Sequence, residues 1–114
     1  MSIERIGVGS RMSQAVIHGS TVYLAGQVGI AGESVTAQTE VVLSKIDSLL
    51  DKAGTDKSKL LQATIWLKDM KDFAEMNAVW DAWIDPVNPP TRACGESALA
   101  TPDYTVEIIV VAAN

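Results

Sequence analysis

The sequence has few of the cysteine and histidine residues that most metal sites and nucleophilic sites require. Cys94 is the only cysteine and His18 the only histidine among 114 residues. One cysteine allows neither an internal disulfide nor a cysteine-based metal cluster, and no ligand spacing such as HxH or HxxE occurs. We therefore expect no metal site. A single cysteine also suits a reducing compartment, and we expect a cytoplasmic protein.

Long apolar runs and an excess of basic residues are also missing. No segment approaches the roughly 20 apolar residues of a membrane span, and the first residues, with Glu4 and Arg5 among them, lack a signal-peptide core. The formal charge is −5, from 9 Lys and Arg against 14 Asp and Glu. A phosphate-binding surface needs clustered cations. We expect neither a membrane nor a nucleic-acid partner.

What is present is the composition of one ordinary globular domain. Hydrophobic residues make up 47% of the chain and charged residues 20%. A chain of this length buries roughly two thirds of its unfolded surface, which is enough for one core. We expect a single domain over residues 1–114.

The spacing of apolar residues predicts an α+β chain in the order β-β-β-α-β-α-β-β. Gly19 is expected to form a tight turn and Gly54 to end the first helix. A glycine-rich stretch around residues 26–32 is expected to be a loop. Strands are predicted at residues 3–8, 14–18, 21–27, 60–67, 91–97 and 104–112, and helices at residues 37–53 and 72–84.

The last predicted strand is almost continuously apolar, which is typical of a central strand covered on both faces. Two helices cover only one face of a sheet, and Trp66 lies on the second face of its strand. We therefore expect self-association to cover that second face, with sites that neighbouring chains can share.

Arg92 and Cys94 are two positions apart in a predicted strand, so their side chains leave the same face. Arginine binds carboxylates well because its planar guanidinium donates two parallel hydrogen bonds. The alternatives are an ordinary surface arginine or a structural ion pair. Cys94 is interpreted as a small buried residue rather than a nucleophile, because His18 is predicted beside a distant turn.

Glu107 stands between Val106 and Ile108 in the apolar last strand. A buried carboxylate needs a partner, so Glu107 is expected either to orient an attacking water or to form a salt bridge, possibly with Arg92. In the second helix, Asn77 interrupts an apolar stripe. The aromatic residues of that helix, namely Phe73, Trp80 and Trp83, are interpreted as core.

Four segments together resemble a known family. They are LAGQ at residues 24–27, KDMKDFA at residues 68–74 followed by Asn77, PTRAC at residues 90–94 and VEI at residues 106–108. Over residues 3–113 the chain is similar to the Rid family of reactive-intermediate deaminases, also called YjgF-like or liver perchloric-acid-soluble-protein-like. The resemblance implies a chorismate-mutase-like α+β fold, with a mixed sheet, two helices on one face, and a homotrimer with sites at subunit interfaces.

The resemblance also implies an activity without any cofactor. Such a hydrolase converts small imines or enamines, such as 2-aminoacrylate or 2-iminobutanoate, to a 2-oxo acid and ammonia, and so protects pyridoxal-phosphate enzymes from their by-products. By resemblance, Arg92 grips the substrate carboxylate and Glu107 positions the attacking water. Cys94, Asn77 and Gly26 line the pocket.

Met12 occupies a position where well-studied family members carry tyrosine, and methionine cannot donate a hydrogen bond. By resemblance Met12 belongs to the substrate site, and the segment around it is similar to a less studied branch of the family. Two alternative functions remain open. One is a non-catalytic trimer that binds small ligands or acts as a chaperone, and the other is a ribonuclease.

Overall fold

A computed structural model describes residues 2–114 and contains one mixed sheet and two α-helices in that range. Two short 3₁₀ turns lie at Lys57–Lys59 and Met70–Asp72. The elements are β1 (Ile3–Ile6), β2 (Ala15–His18), β3 (Thr21–Leu24), β4 (Gln27–Val28), α1 (Val35–Lys52), β5 (Leu60–Leu67), α2 (Phe73–Trp83), β6 (Thr91–Glu96) and β7 (Val106–Ala113).

The sheet has the strand order β1-β2-β3-β7-β5-β6, and β4 also pairs with β7. All pairs are antiparallel except β5 with β6. The last strand is therefore central, between β3 and β5, as its apolar composition predicted. The connection from β5 through α2 to β6 is the crossover that a parallel pair needs.

The first helix begins at Val35, two residues before the predicted start, because the Ser34 side chain caps it by accepting a hydrogen bond from the Ala37 N–H at 3.1 Å. The helix ends before Gly54, which adopts φ 82° as predicted. Gly19, in the hairpin between β2 and β3, has φ 62°. None of the helices described is both long and apolar enough to cross a membrane.

The core lies between the two helices and one face of the sheet. On this face β7 contributes Val106, Ile108, Val110 and Ala112, all fully buried. Burying a large aliphatic side chain contributes roughly 1.5–3 kcal/mol, so this layer supplies the main driving force for folding. Side chains that pack against it include Ala63, Ile65 and Leu67 of β5 and Val42, Leu43, Ile46 and Leu50 of α1.

The opposite face of the sheet is open in a single chain. Tyr23 of β3 is 48% exposed and Trp66 of β5 is 38% exposed. Tyr23 pairs with Val111 of β7, which therefore points to the same side. The two helices thus cover only one face, as predicted.

Most predicted boundaries differ from the structure by one or two residues, and the prediction fails at residues 25–28. The strand expected at residues 21–27 ends at Leu24, and Gln27–Val28, where a loop was expected to begin, forms the separate strand β4. β4 pairs with Glu107 and Ile108 of β7. The interruption at residues 25–26 lets the chain change its hydrogen-bonding position on β7, which a strand of continuous register would not allow.

Candidate active site

Arg92 lies on the edge strand β6 and turns toward α2. Its register partner on β5 is Ala63, which is fully buried beneath the helices. The Arg92 Nη1 donates a hydrogen bond to Asn77 Oδ1 at 2.7 Å. The Arg92 Cζ lies 5.9 Å from the Phe73 ring centroid and 5.5 Å from that of Trp80. Arg92 therefore docks on the stripe of α2 that Asn77 interrupts.

The sequence interpretation missed part of this arrangement. Trp80 is 5% exposed and belongs to the core, as predicted, but Phe73 is 37% exposed and does not. The available signal was the helical spacing, since residues 73, 77 and 80 share one face of α2. The sequence did not indicate that the Arg92 guanidinium packs against this face.

The remaining donors of Arg92 are free within residues 2–114. Its hydrogen bond to Asn77 is the one that the described residues provide, and no ion pair with a carboxylate forms among them. The structural ion pair, one of the two alternatives, is therefore not observed. A guanidinium with an unused edge can bind a planar oxyanion through two parallel hydrogen bonds.

Cys94 lies on the same side of β6 as Arg92, as predicted, because its partner on β5 is the buried Ile65. It is half-buried and packs against the core. Burial raises the pKa of the Cys94 thiol, although the nearby Arg92 charge lowers it. The thiol therefore remains protonated at neutral pH. His18 is on β2, near the other end of the sheet, and provides no base.

Glu107 lies on the open face of the sheet, where its partner on β5 is Trp66. Its carboxyl group sits directly against Gly26, since a Cβ added at Gly26 would overlap Oε2 and lie 3.0 Å from Cδ. The structure therefore brings these two predicted site residues together. Gly26 leaves the space that the carboxyl group occupies.

The expected partner of Glu107 is not found among the described residues. The suggested salt bridge with Arg92 does not form within one chain, because cross-strand partners share a face and the two residues have partners on opposite faces. Ala63, beside Arg92, is buried under the helices, while Trp66, beside Glu107, faces outward. Within residues 2–114 the Glu107 carboxylate makes no hydrogen bond and no ion pair.

The predicted residues therefore form two separate clusters. The arginine cluster consists of Arg92, Asn77, Cys94, Phe73 and Trp80. The glutamate cluster consists of Glu107, Gly26 and Trp66. They lie on opposite faces of the sheet, so no single chain can present both to one small molecule.

Met12 joins neither cluster by a hydrogen bond within the described residues. It lies in the loop between β1 and β2, its side chain is 49% exposed, and its carbonyl accepts from the Gly9 N–H at 2.8 Å. A groove of about 350 Å³ lined by both helices, with Asp47 and Trp83 in its wall, contains none of the predicted site residues. No three His, Cys, Asp or Glu side chains in residues 2–114 are grouped to hold a metal ion.

The fold and the clusters define a class of protein: a chorismate-mutase-like α+β domain in which an arginine with free donors packs against one face of a helix. The sequence profile described as "Endoribonuclease L-PSP" matches residues 2–114. The chain belongs to this family, whose members include the YjgF and RutC proteins, and the resemblance to the Rid family is thereby confirmed.

Similar proteins agree on the family and the fold. A RutC family protein of Haemophilus influenzae is 46% identical, covering 98% of this chain and 98% of its own length. The crystal structure of a YjgF family member from Neisseria meningitidis superposes with a TM-score of 0.98 at 44% identity, covering 100% of this chain and 96% of that one. A Salmonella typhimurium protein named 2-iminobutanoate/2-iminopropanoate deaminase is 32% identical, covering 87% of this chain and 84% of its own length.

Proposed function

We propose that this protein is a hydrolytic deaminase that converts small reactive 2-imino and enamine acids, such as 2-iminobutanoate and 2-aminoacrylate, to 2-oxo acids and ammonia. The observation that carries the proposal is the hydrogen bond of Arg92 Nη1 to Asn77 at 2.7 Å, which leaves the rest of the guanidinium free. Every such substrate carries a carboxylate next to the reacting carbon. The relative named as an imine deaminase supports the same reading.

In the proposed reaction Arg92 binds the substrate carboxylate and thereby places C2. Water attacks C2 of the protonated imine, and Glu107 accepts a proton from that water. Glu107 returns this proton to the nitrogen of the resulting carbinolamine, which loses ammonia as its hydroxyl group releases its own proton and forms the carbonyl of the 2-oxo acid. An enamine first takes a proton on C3 to become the protonated imine. An iminium carbon is already electrophilic, so orienting the two reactants can supply most of the catalysis, and no cofactor is needed.

The separation of the two clusters supports a shared site. A single chain cannot bring Arg92 and Glu107 to one substrate, whereas a second copy can present its Glu107 to the first copy's Arg92. The open sheet face, with Tyr23, Trp66 and Val111, is the apolar surface that such an assembly buries. We propose a homotrimer with three interfacial sites that works in the cytoplasm, with Met12 contributing to the substrate site.

The decisive experiment is to time the decay of 2-iminobutanoate released by a threonine dehydratase. We expect the protein to accelerate this decay, the Arg92→Ala variant to lose the acceleration, and Arg5→Ala to retain it. Arg5 is a matched control because it is an exposed arginine on the distant edge strand β1. No acceleration over solvent, or an Arg92→Ala variant as fast as the parent, rejects the proposal.

A non-catalytic trimer that binds small ligands is distinguished by the same assay. It would bind a stable 2-oxo acid such as 2-oxobutanoate through Arg92 without accelerating imine decay. The description of the family profile favours testing ribonuclease activity as well. The charge of −5 and the single histidine speak against it, and we expect neither RNA cleavage nor a salt-dependent RNA shift at low micromolar protein.

A further inference from the structure

An exposed arginine normally samples many rotamers, which makes it a poor positioning group. Arg92 is exposed on an edge strand, yet three side chains of one helix stripe contact it. Asn77 takes one N–H of Nη1, while the rings of Phe73 and Trp80 lie within the range of cation–π attraction, which extends to about 6 Å. The side chain is therefore held at its guanidinium group.

The two rings restrain the guanidinium differently. Trp80 is 5% exposed, so packing fixes its ring, whereas Phe73 is 37% exposed and borders the solvent beside Arg92. Because residues 73, 77 and 80 follow helical spacing, α2 presents two rings with the amide between them. Phe73 and Trp80 lie against the Arg92 guanidinium group, and Asn77 accepts a hydrogen bond from its Nη1. Among the described residues, the edge of the guanidinium formed by Nε and Nη2 therefore keeps both of its parallel N–H groups free.

We propose that Phe73 and Trp80 are positioning residues that fix the guanidinium of Arg92, so that its Nε–Nη2 edge receives the substrate carboxylate. This inference rests on the proposed function and names two residues that act through Arg92. It also predicts that lysine cannot replace Arg92, since a lysine has neither a planar face for the rings nor an edge with two parallel donors.

The test measures binding of 2-oxobutanoate, a stable product, by calorimetry. Loss of a cation–π contact at an exposed site corresponds to a several-fold change in affinity, so we expect Phe73→Leu to raise Kd about three- to fivefold and Phe73→Tyr to restore it. We expect Trp80→Leu to raise Kd about tenfold, and Arg92→Lys to bind no better than Arg92→Ala. In turnover assays Phe73→Leu should raise KM and leave kcat within about twofold.

Val79→Ala is the matched control for damage to α2. It removes core-packing atoms from the same helix, whereas the side chains of α2 that contact Arg92 are those of Phe73, Asn77 and Trp80. We expect its Kd for 2-oxobutanoate to stay within about twofold of the parent. If Trp80→Leu fails to fold, the exposed position of Phe73 keeps the Phe73→Leu and Phe73→Tyr pair informative.

A second measurement follows the Arg92 Nε–H signal in ¹H–¹⁵N spectra. We expect it to be resolved in the free protein, to shift when 2-oxobutanoate is added, and to broaden in Phe73→Leu. A purely structural role for Phe73 would leave this signal unchanged. If Arg92→Ala abolishes binding while Phe73→Leu and Trp80→Leu bind as tightly as the parent, the positioning role is wrong and the proposed function stands. If the parent does not bind 2-oxobutanoate and imine decay is independent of Arg92, the proposed function fails and the inference fails with it.

Discussion

Arg92 and Glu107 lie on opposite faces of the same sheet, each beside a different residue type of β5. Arg92 is next to the fully buried Ala63, and Glu107 is next to the partly exposed Trp66. Both side chains are exposed or half-exposed within one chain, and neither has a charged partner in the described residues. A small substrate that needs both must therefore meet them on two chains.

Mixing two inactive variants tests this relationship. Arg92→Ala and Glu107→Ala are each expected to lose imine deamination, but co-refolding them in equal amounts should restore about one quarter of the parent activity. In a ring with shared sites, about a quarter of the interfaces combine an intact arginine with an intact glutamate. The control is mixing without unfolding, which should restore nothing while subunits do not exchange. No recovery in co-refolded assemblies whose mixed composition is verified by mass spectrometry would contradict a shared site.

Gly26→Ala is expected to abolish most activity without unfolding the protein. The new methyl group would overlap the Glu107 carboxyl group, which sits at the end of a flexible side chain and can move away. We expect kcat/KM to fall about 10- to 100-fold because the carboxylate is displaced. The free energy of unfolding should change by less than about 1 kcal/mol.

Gly9→Ala is the matched control for this change, since a Cβ there meets only the Met12 carbonyl oxygen, at an ordinary 3.6 Å. We expect its kinetics and its unfolding curve to match the parent. A Gly26→Ala variant with parental kcat/KM would show that the position of the Glu107 carboxylate is unimportant.

Gln38→Ala is expected to destabilise the protein by about 2–4 kcal/mol, because three partly buried hydrogen bonds from one side chain to backbone groups are lost. The fully buried Gln38 side chain donates to the carbonyls of Glu33 (2.9 Å) and Asp103 (3.0 Å) and accepts from the Thr105 N–H (3.0 Å). It thereby joins α1 to the segment that leads into β7. Urea unfolding at fixed protein concentration measures the change.

Ser44→Ala, at an exposed position of the same helix, should shift the same unfolding curve by less than about 0.5 kcal/mol. Equal effects of the two substitutions would mean that Gln38 contributes no specific stabilisation.

The Cys94 thiol is expected to be poorly reactive at neutral pH. Because burial raises the pKa of its thiol, the thiolate is scarce at neutral pH, and iodoacetamide should react more slowly with Cys94 than with a free thiol. The rate should rise with pH through a midpoint above that of the free thiol. Cys94→Ser should retain kcat/KM within about fivefold, since removal of a true nucleophile costs orders of magnitude. Rapid alkylation at neutral pH together with an inactive serine variant would instead indicate covalent catalysis.

The local pattern of apolar and polar residues was sufficient to predict most of the helices and strands. The apolar alternation predicted β5 at residues 60–67, which the structure reproduces, and the helix at residues 72–84 is found at Phe73–Trp83. These segments succeed because side-chain periodicity depends only on the backbone of the element itself. The strand β4 was missed because two residues carry no periodicity, and its existence depends on a distant partner, β7.

The sequence by itself determined that Arg92 and Cys94 share a face, that β7 is central, and that one side of the sheet lacks a cover. It also placed the chain in its family through short motifs. Only the tertiary structure decided that Arg92 docks on the Phe73–Asn77–Trp80 stripe, that Glu107 rests against Gly26, and that Arg92 and Glu107 point in opposite directions. The physical reason is that the sheet face on which a side chain of β6 or β7 lies depends on the register of that strand with β5. Those registers are set by packing of the whole sheet against the helices.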